Sequence, residues 1–419
     1  MNWTSAQRIK YLSTINNDAL PETTNPDQEI RYLDISSVGR GRAVGEPEEF
    51  TFATAPSRAR RLVKSGDTIV STVRTYLRAV LPIRDPDPAL VVSTGFAVLR
   101  PGPKLDPVFF SWVVQSDSFI DEVVARSVGI SYPAINASEI GDIRVPVAEL
   151  YVQRAIADYL DAETARIDAL ISKKQQMKGM IIERGGHALL RSFELRGIRW
   201  PSSIEELESM SSLGDCRVMH LSQCLEQLTN GYVGPTRDIL VDEGVPYIQS
   251  LHIKNGSIDF DRRPFFVTPE WHAERPRIHL RENDVLIVQT GDIGSVAVVP
   301  PRFGEASCHA LQIARVRSAV ITGPYLAEFL RSSLGYQSLL SRATGALHPH
   351  LEGSIRNVSI LVPPLELQHV IVGEVAKLRR QSERIVSRLT RQIELLREHR
   401  QALITAAVTG ELEIREVTA

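Results

Sequence analysis

The feature that most constrains this chain is an apolar seam that occurs twice. No proline lies between Pro146 and Pro201, and Val152, Ile156, Leu160, Glu163, Ile167, Leu170, Lys174, Met177 and Ile181 follow one another at steps of four and three. That spacing puts one stripe along a long amphipathic helix, and proline is the residue that would break it. At 1.5 Å per residue such a helix is roughly 50 Å long. The pattern returns after Pro364, the last proline, through Ile371, Val375, Leu378, Ser382, Ile385, Leu389, Gln392, Leu396, His399 and Leu403. A lone striped helix has nowhere to bury its stripe, so the two are expected to pack together. Ile156, Leu160, Ile167, Leu170, Met177 and Ile181 would then meet Val375, Leu378, Ile385, Leu389, Leu396 and Leu403. Two ordinary core helices are the plainer alternative, but their length and matched placement favour a paired rod.

Composition narrows the class. A chain of 419 residues suggests two or three domains. With a formal net charge of −2 it is not the strongly basic chain of many stand-alone nucleic-acid binders. If it binds DNA, local basic patches carry the contacts or a partner shares them. No run approaches 18 apolar residues, and the opening segment MNWTSAQRIKYLSTINN lacks the apolar core of a signal peptide. Cys216, Cys224 and Cys308 are odd in number and unpaired in spacing, which suits reduced thiols in a cytoplasmic protein. There is no GxxxxGK[ST] loop, no Asn-Pro-Pro-aromatic motif, and Gly39-Arg40-Gly41 does not continue into a dinucleotide fingerprint. His348-Pro349-His350 lacks a third ligand nearby, so no metal is expected. The expectation is a protein without catalysis of its own.

In chain order, residues 1–146 hold short β-like runs punctuated by glycine and proline, including Ile30–Ile35, Thr68–Val70 and Phe96–Arg100, then a helix over Pro107–Val124. The first long helix occupies 147–200, a serine-rich linker that opens on Pro201 occupies 201–214, a second globular block 215–363, the second long helix 364–412 and a tail 413–419. The two blocks match. Tyr32 pairs with Tyr247, Gly66–Val70 with Asn283–Ile287, Phe96–Arg100 with Leu311–Arg315, Gly129 and Pro133 with Gly345 and Pro349, Ile143–Pro146 with Ile360–Pro363, and Gln153 with Gln368. The offset stays between 215 and 217 residues, so the chain is a tandem duplication of one globular domain plus one long helix. Two such copies can pack about a pseudo-twofold axis. With the helices antiparallel, a rod of this length is on the scale of the 34–36 Å between successive half-sites on DNA.

With the duplication in view, the chain resembles the specificity subunits of type I restriction–modification systems over nearly its whole length. The resemblance rests on Gly66–Arg74, Ser93–Pro101, Gly129–Ile135, Val285–Val299 with Gly291 and Gly294, and Val362-Pro363-Pro364-Leu365-Glu366-Leu367-Gln368. The first copy departs from the last motif, with Val145-Pro146-Val147 and two extra residues before Gln153. The resemblance implies a mixed α+β fold: two duplicated α/β target recognition domains joined by a long antiparallel two-helix coiled coil. It implies that each domain reads one part of a bipartite, asymmetric site in double-stranded DNA. It also implies docking of two methyltransferase subunits, recruitment of restriction subunits through them, no cofactor on this chain, and S-adenosylmethionine on the partner methyltransferase. A stand-alone DNA-binding decoy and a coiled-coil assembly scaffold are the alternatives.

The candidate DNA contacts follow the loops and basic patches. Arg40 and Arg42 lie in a glycine-spaced basic loop, and Arg58 and Arg61 in a cluster with Arg60 and Lys64. Ser71, Thr72, Arg74 and Tyr76 run on from a strand end, where loops carry function, and an arginine there can hold phosphate or read guanine. Gln289 and Thr290 stand at the matching place in the second block, and glutamine suits adenine. Tyr132 and His348 fall in the matched glycine–proline loops. Tyr232, Thr236 and Arg237 form a further loop candidate. For each arginine the plain alternative is a solvated surface charge.

Overall fold

The computed structural model describes residues 3–345, 350–351 and 353–412. It divides into two units, 1–175 with 390–419, and 176–389. No helix among the described residues is long and apolar enough to cross a membrane.

The first unit is built on the four-stranded antiparallel sheet Ser13–Ile15, Phe96–Pro101, Thr68–Ser71, Val80–Pro82. Thr68–Ser71 is buried at every position, because both faces of this sheet are covered. Side chains alternate between faces along a strand. Ile69, Phe96 and Val98 enter one core, Val70, Ala97 and Leu99 the other. A second sheet, Glu48–Thr51, Glu29–Leu33, Leu90–Ser93, Ala59–Leu62, has one parallel pair, Glu29–Leu33 with Leu90–Ser93. The expected helix over Pro107–Val124 is two helices, Pro107–Gln115 and Asp117–Arg126. Ser116 separates them: its hydroxyl accepts from the Phe119 N–H and donates to the Val113 carbonyl, capping the second helix.

The second unit repeats this plan. Leu225–Asn230, Leu311–Val316, Val285–Val288 and Val296–Val298 form the antiparallel sheet. Val285 and Ile287 face one core, Leu286 and Val288 the other. The parallel pair is Val245–Ile248 with Ser307–Cys308, and Thr322 and Ser332 cap the helices Gly323–Arg331 and Ser333–Leu340. The duplication extends to single bonds. Arg100 clasps Asp67 through two contacts of 2.8 Å, and Arg315 clasps Asp284 through contacts of 3.0 and 2.8 Å. Buried Gln153 accepts from the Asp106 N–H and donates to the Lys104 and Ala148 carbonyls. Buried Gln368 does the same with the Thr322 N–H and the Val320 and Pro363 carbonyls. Each glutamine thus fastens the start of a long helix to the cap of a short one.

The long helices are Leu150–Gly186 and Leu365–Thr409. Within the first unit they run antiparallel: Asp168 pairs with Arg400 at 3.1 Å and Lys174 bonds Gln392 at 2.7 Å. Ile404, Ala407 and Val408 enter the same core as Val152, Ile156 and Leu160. Within the second unit Gly185 lies against Ser382. Past the first helix, Arg196 and then Ser192 bond Glu374 and hold its carboxyl down at about 2.

The seam differs from the expected one. Ile156, Leu160, Ile167, Val375 and Leu389 are buried, and Ile181, Leu378, Ile385, Leu396 and Leu403 are half-buried, but Leu170 and Met177 are 48% and 50% exposed. In the first unit the buried row is Val152, Ile156, Leu160, Thr164, Ile167, Ile171. Ile156 to Ile167, Leu160 to Ile171 and Ile393 to Ile404 are each eleven residues apart. Eleven residues over three turns lies closer to the 3.6-residue period of a straight helix than a heptad does, so the stripe moves off Leu170 and onto Ile171.

The stretch 201–214, expected as a linker, carries the helix Ile204–Ser209 and the strand Ser212–Leu213. Leu207 is fully buried in the core of the second unit, and Trp200 packs on Phe193 and Phe329.

Candidate nucleic-acid interface

In the first unit the loop between Thr68–Ser71 and Val80–Pro82 is tightly braced. Arg74 and Arg78 both take left-handed backbone angles, φ 51° and 55°, which non-glycine residues seldom adopt. The Arg74 N–H donates to the Pro133 carbonyl at 2.7 Å, and the Thr75 hydroxyl to Ser127 at 2.7 Å. The Arg74 guanidinium stands over the Tyr132 ring, 5.1 Å from its centroid, a cation–π contact. Beside it opens a cavity of about 620 Å³ lined by Asp34, Arg58, Thr72, Arg74, Gly95 and Tyr132 among others. Four sequence candidates, Arg58, Thr72, Arg74 and Tyr132, therefore share one concave surface. Tyr76, 54% exposed, follows two residues after Arg74.

Asp34 was not among the candidates. Burial alone would raise its pKa, but bonds from the Ser36 N–H and from the Tyr32 and Ser36 hydroxyls hold the carboxyl below its usual value. It is an anionic acceptor in a cavity with two arginines. Its entry depends on the parallel pairing of Glu29–Leu33 with Leu90–Ser93, a long-range pairing that no local motif announces.

Other candidates are placed elsewhere. Arg40 is not free: it donates to the Gln115 carbonyl and to Asp117 at 2.8 Å. The glycine-spaced loop is a hairpin turn seated on the end of the helix Pro107–Gln115. A Cβ on Gly41, at φ +73°, would collide with the Gln115 side chain. The second unit repeats the device, with Gly256 at φ +83° pressed on Arg331. Ser71 is buried and donates to the Val73 carbonyl at 2.6 Å. Arg61 is half-buried on the strand Ala59–Leu62, and Arg42 is exposed.

In the second unit Gln289 is buried, its side-chain oxygen accepting from Gln312 at 3.1 Å, so it cannot present its amide to a base. The Leu351 N–H bonds the Gln289 carbonyl as the Ile135 N–H bonds that of Thr72. Gln289 is thus the counterpart of Thr72, and the counterpart of Arg74 is Gly291, at φ +82°. Thr290 is exposed and bonds His350 at 2.8 Å. Tyr232 is half-buried edge-on to Trp271, with centroids 5.1 Å apart. Thr236 is half-buried and Arg237 exposed. His348 lies outside the described residues.

Two strand-rich units, each with a braced loop surface and a share of two long helices, define a class of duplicated two-unit proteins, and no group of three His, Cys, Asp or Glu that could hold a metal ion occurs among the described residues. No protein-family model matches the chain. It is 19% identical over 304 residues to the type I restriction enzyme EcoBI specificity subunit of Escherichia coli, covering 70% of this chain and 64% of that one. It is 27% identical over 157 residues to the type I restriction enzyme MjaVIII specificity subunit of Methanocaldococcus jannaschii, covering 36% of each. The chain therefore spans less than two thirds of these relatives in alignment. In fold it is similar to a chain from a structural study of complex assembly and conformational transition of the type I R-M system, with a TM-score of 0.77, 22% identity and 98% of each chain covered. It is also similar to the HsdS subunit from Thermoanaerobacter tengcongensis, with a TM-score of 0.55, 23% identity and 98% and 97% of the two chains covered. In sequence and in fold, the chain is similar to type I restriction–modification specificity subunits, as its motifs implied.

Proposed function

We propose that this chain is the DNA sequence-specificity subunit of a type I restriction–modification complex. The observation that carries the reading is the cavity of the first unit, where Arg58, Arg74, Thr72 and Tyr132 converge with the anionic Asp34. Arg74 offers a bidentate donor for guanine, and Asp34 an acceptor for the amino group of cytosine. The second unit lacks an arginine at the matching position, so the two units read different bases and the site is bipartite and asymmetric.

On this reading the chain itself catalyses nothing. It docks two methyltransferase subunits, which bring S-adenosylmethionine, and through them the restriction subunits. It works in the cytoplasm, where its DNA lies. Its near-neutral charge leaves much of the phosphate contact to the methyltransferase, because phosphate neutralisation supplies most non-specific affinity. Methylome sequencing of a host expressing the chain with its methyltransferase tests the reading. A new asymmetric bipartite motif supports it, and unchanged methylation by an assembled complex contradicts it.

A further inference from the structure

We propose that Ile130 is an apolar wedge that enters and unstacks one base step beside the half-site read by the first unit. The inference rests on the DNA-reading function above and adds to it a deformation of the duplex that is read as energy.

Ile130 sits at the tip of a loop closed by two backbone bonds, Val128 N–H to the Ala134 carbonyl at 2.8 Å and Ala134 N–H to the Val128 carbonyl at 3.0 Å. Gly129, at φ +114°, allows the turn, and a Cβ there would lie 3.1 Å from the Tyr132 carbonyl oxygen. The stem is laced to the neighbouring loop by Arg74 N–H to the Pro133 carbonyl at 2.7 Å and Ile135 N–H to the Thr72 carbonyl at 2.9 Å. This loop is braced, yet it holds its apolar side chains out. Ile130 is 102% exposed, Val128 78% and Tyr132 68%.

A single exposed apolar residue needs no explanation. Two, Val128 and Ile130, on one braced, uncharged loop whose Tyr132 already serves the arginine-lined cavity, do. The occupant is DNA rather than protein because of what surrounds the loop: Arg74 and Arg58 face the cavity at its foot, where they match phosphate and guanine. Apolar wedges of isoleucine, leucine or phenylalanine unstack base steps from the minor groove in other proteins; here the loop that carries the tip lines the same cavity as Arg74 and Asp34, so the step would be entered from the groove they read. The second unit closes its matching loop the same way, through Thr344 and His350 at 3.0 and 2.8 Å. In sequence, however, Ala346 stands where the first unit has Ile130, and a methyl group does not reach between bases. The residue that matches Ile130 in the second unit therefore cannot act as such a wedge.

The test uses the chain assembled with its methyltransferase, and duplexes carrying 2-aminopurine at successive positions across and beside each half-site. In the wild type one step beside the first unit's half-site should brighten, apart from the adenine that the methyltransferase itself modifies. Ile130→Ala should abolish that signal and weaken binding about tenfold or more, the scale of an isoleucine side chain no longer buried between bases. Ile130→Leu should retain both. A mismatch placed at the brightened step should tighten wild-type binding and leave Ile130→Ala unchanged. If the complex binds its motif but no step brightens, or Ile130→Ala brightens equally, the wedge is wrong while the DNA reading stands. If the assembled complex binds no specific DNA, both fail.

Discussion

His252 shows how completely one side chain can be assigned from its neighbours. Its Nδ1 accepts from the Gln249 N–H at 3.0 Å, and its Nε2 faces the Arg263 carbonyl at 2.9 Å. One ring nitrogen must therefore be bare and the other protonated, the neutral form. Burial lowers its pKa, against the opposing Arg263 bond and the Asp259 charge. Burial also lowers those of His272, stacked on His279, and His309. A base whose folded pKa is depressed contributes stability above its unfolded value, and that stability is lost as pH falls from about 6.5. All three lie in the second unit, whereas the first unit contains a single histidine, His399. Hydrogen exchange at pH 7.5 and 5.5 should thus show protection falling in the second unit first. Equal loss in both units would contradict this. Gln153 and Gln368 were visible in the sequence as a matched pair, because repeats expose equivalence. That Gln289 is spent on Gln312 was not, since the pairing spans strands distant in sequence.

The long helices were legible as elements, and their seam only in part. A four-three pattern fits both a heptad and an eleven-residue repeat over two or three turns, and the two diverge only as the helix lengthens. Leu170 against Ile171 is where they separate. Ile171→Ala should cost about 2 kcal/mol or more as a buried truncation, whereas Leu170→Ala should stay within about 0.5 kcal/mol. Paired urea melts decide it, and a reversed order would restore the heptad seam. The basic loop at Arg40 misled for a different reason. Glycines that look like flexibility are there to let a hairpin turn sit close on the helix Pro107–Gln115, and the arginine that rides on it is held by Asp117.

At the scale of the whole molecule, the duplication was readable because the offset between copies is nearly constant, so sheets and caps could be matched in order. The far end of the chain was less readable: Ile404, Ala407 and Val408 complete the first unit's core, and the Thr405 hydroxyl accepts from the Asp117 N–H at 3.1 Å. Removing residues 401–419 should expose that core and strip protection from the first unit while the second keeps its own, as read by hydrogen exchange. Retained protection in the first unit would show that the core closes without them. The central claim is that one chain carries two independent readers. The most direct measurement is the methylome written by Arg74→Ala and by Thr290→Ala, each assembled with the methyltransferase. Arg74→Ala should relax or weaken one half of the motif, by about 1–3 kcal/mol if the contact is to a base, and leave the other half intact. Thr290→Ala should act only on the other half. If both variants alter the same half, or each alters both, the two units do not read DNA independently.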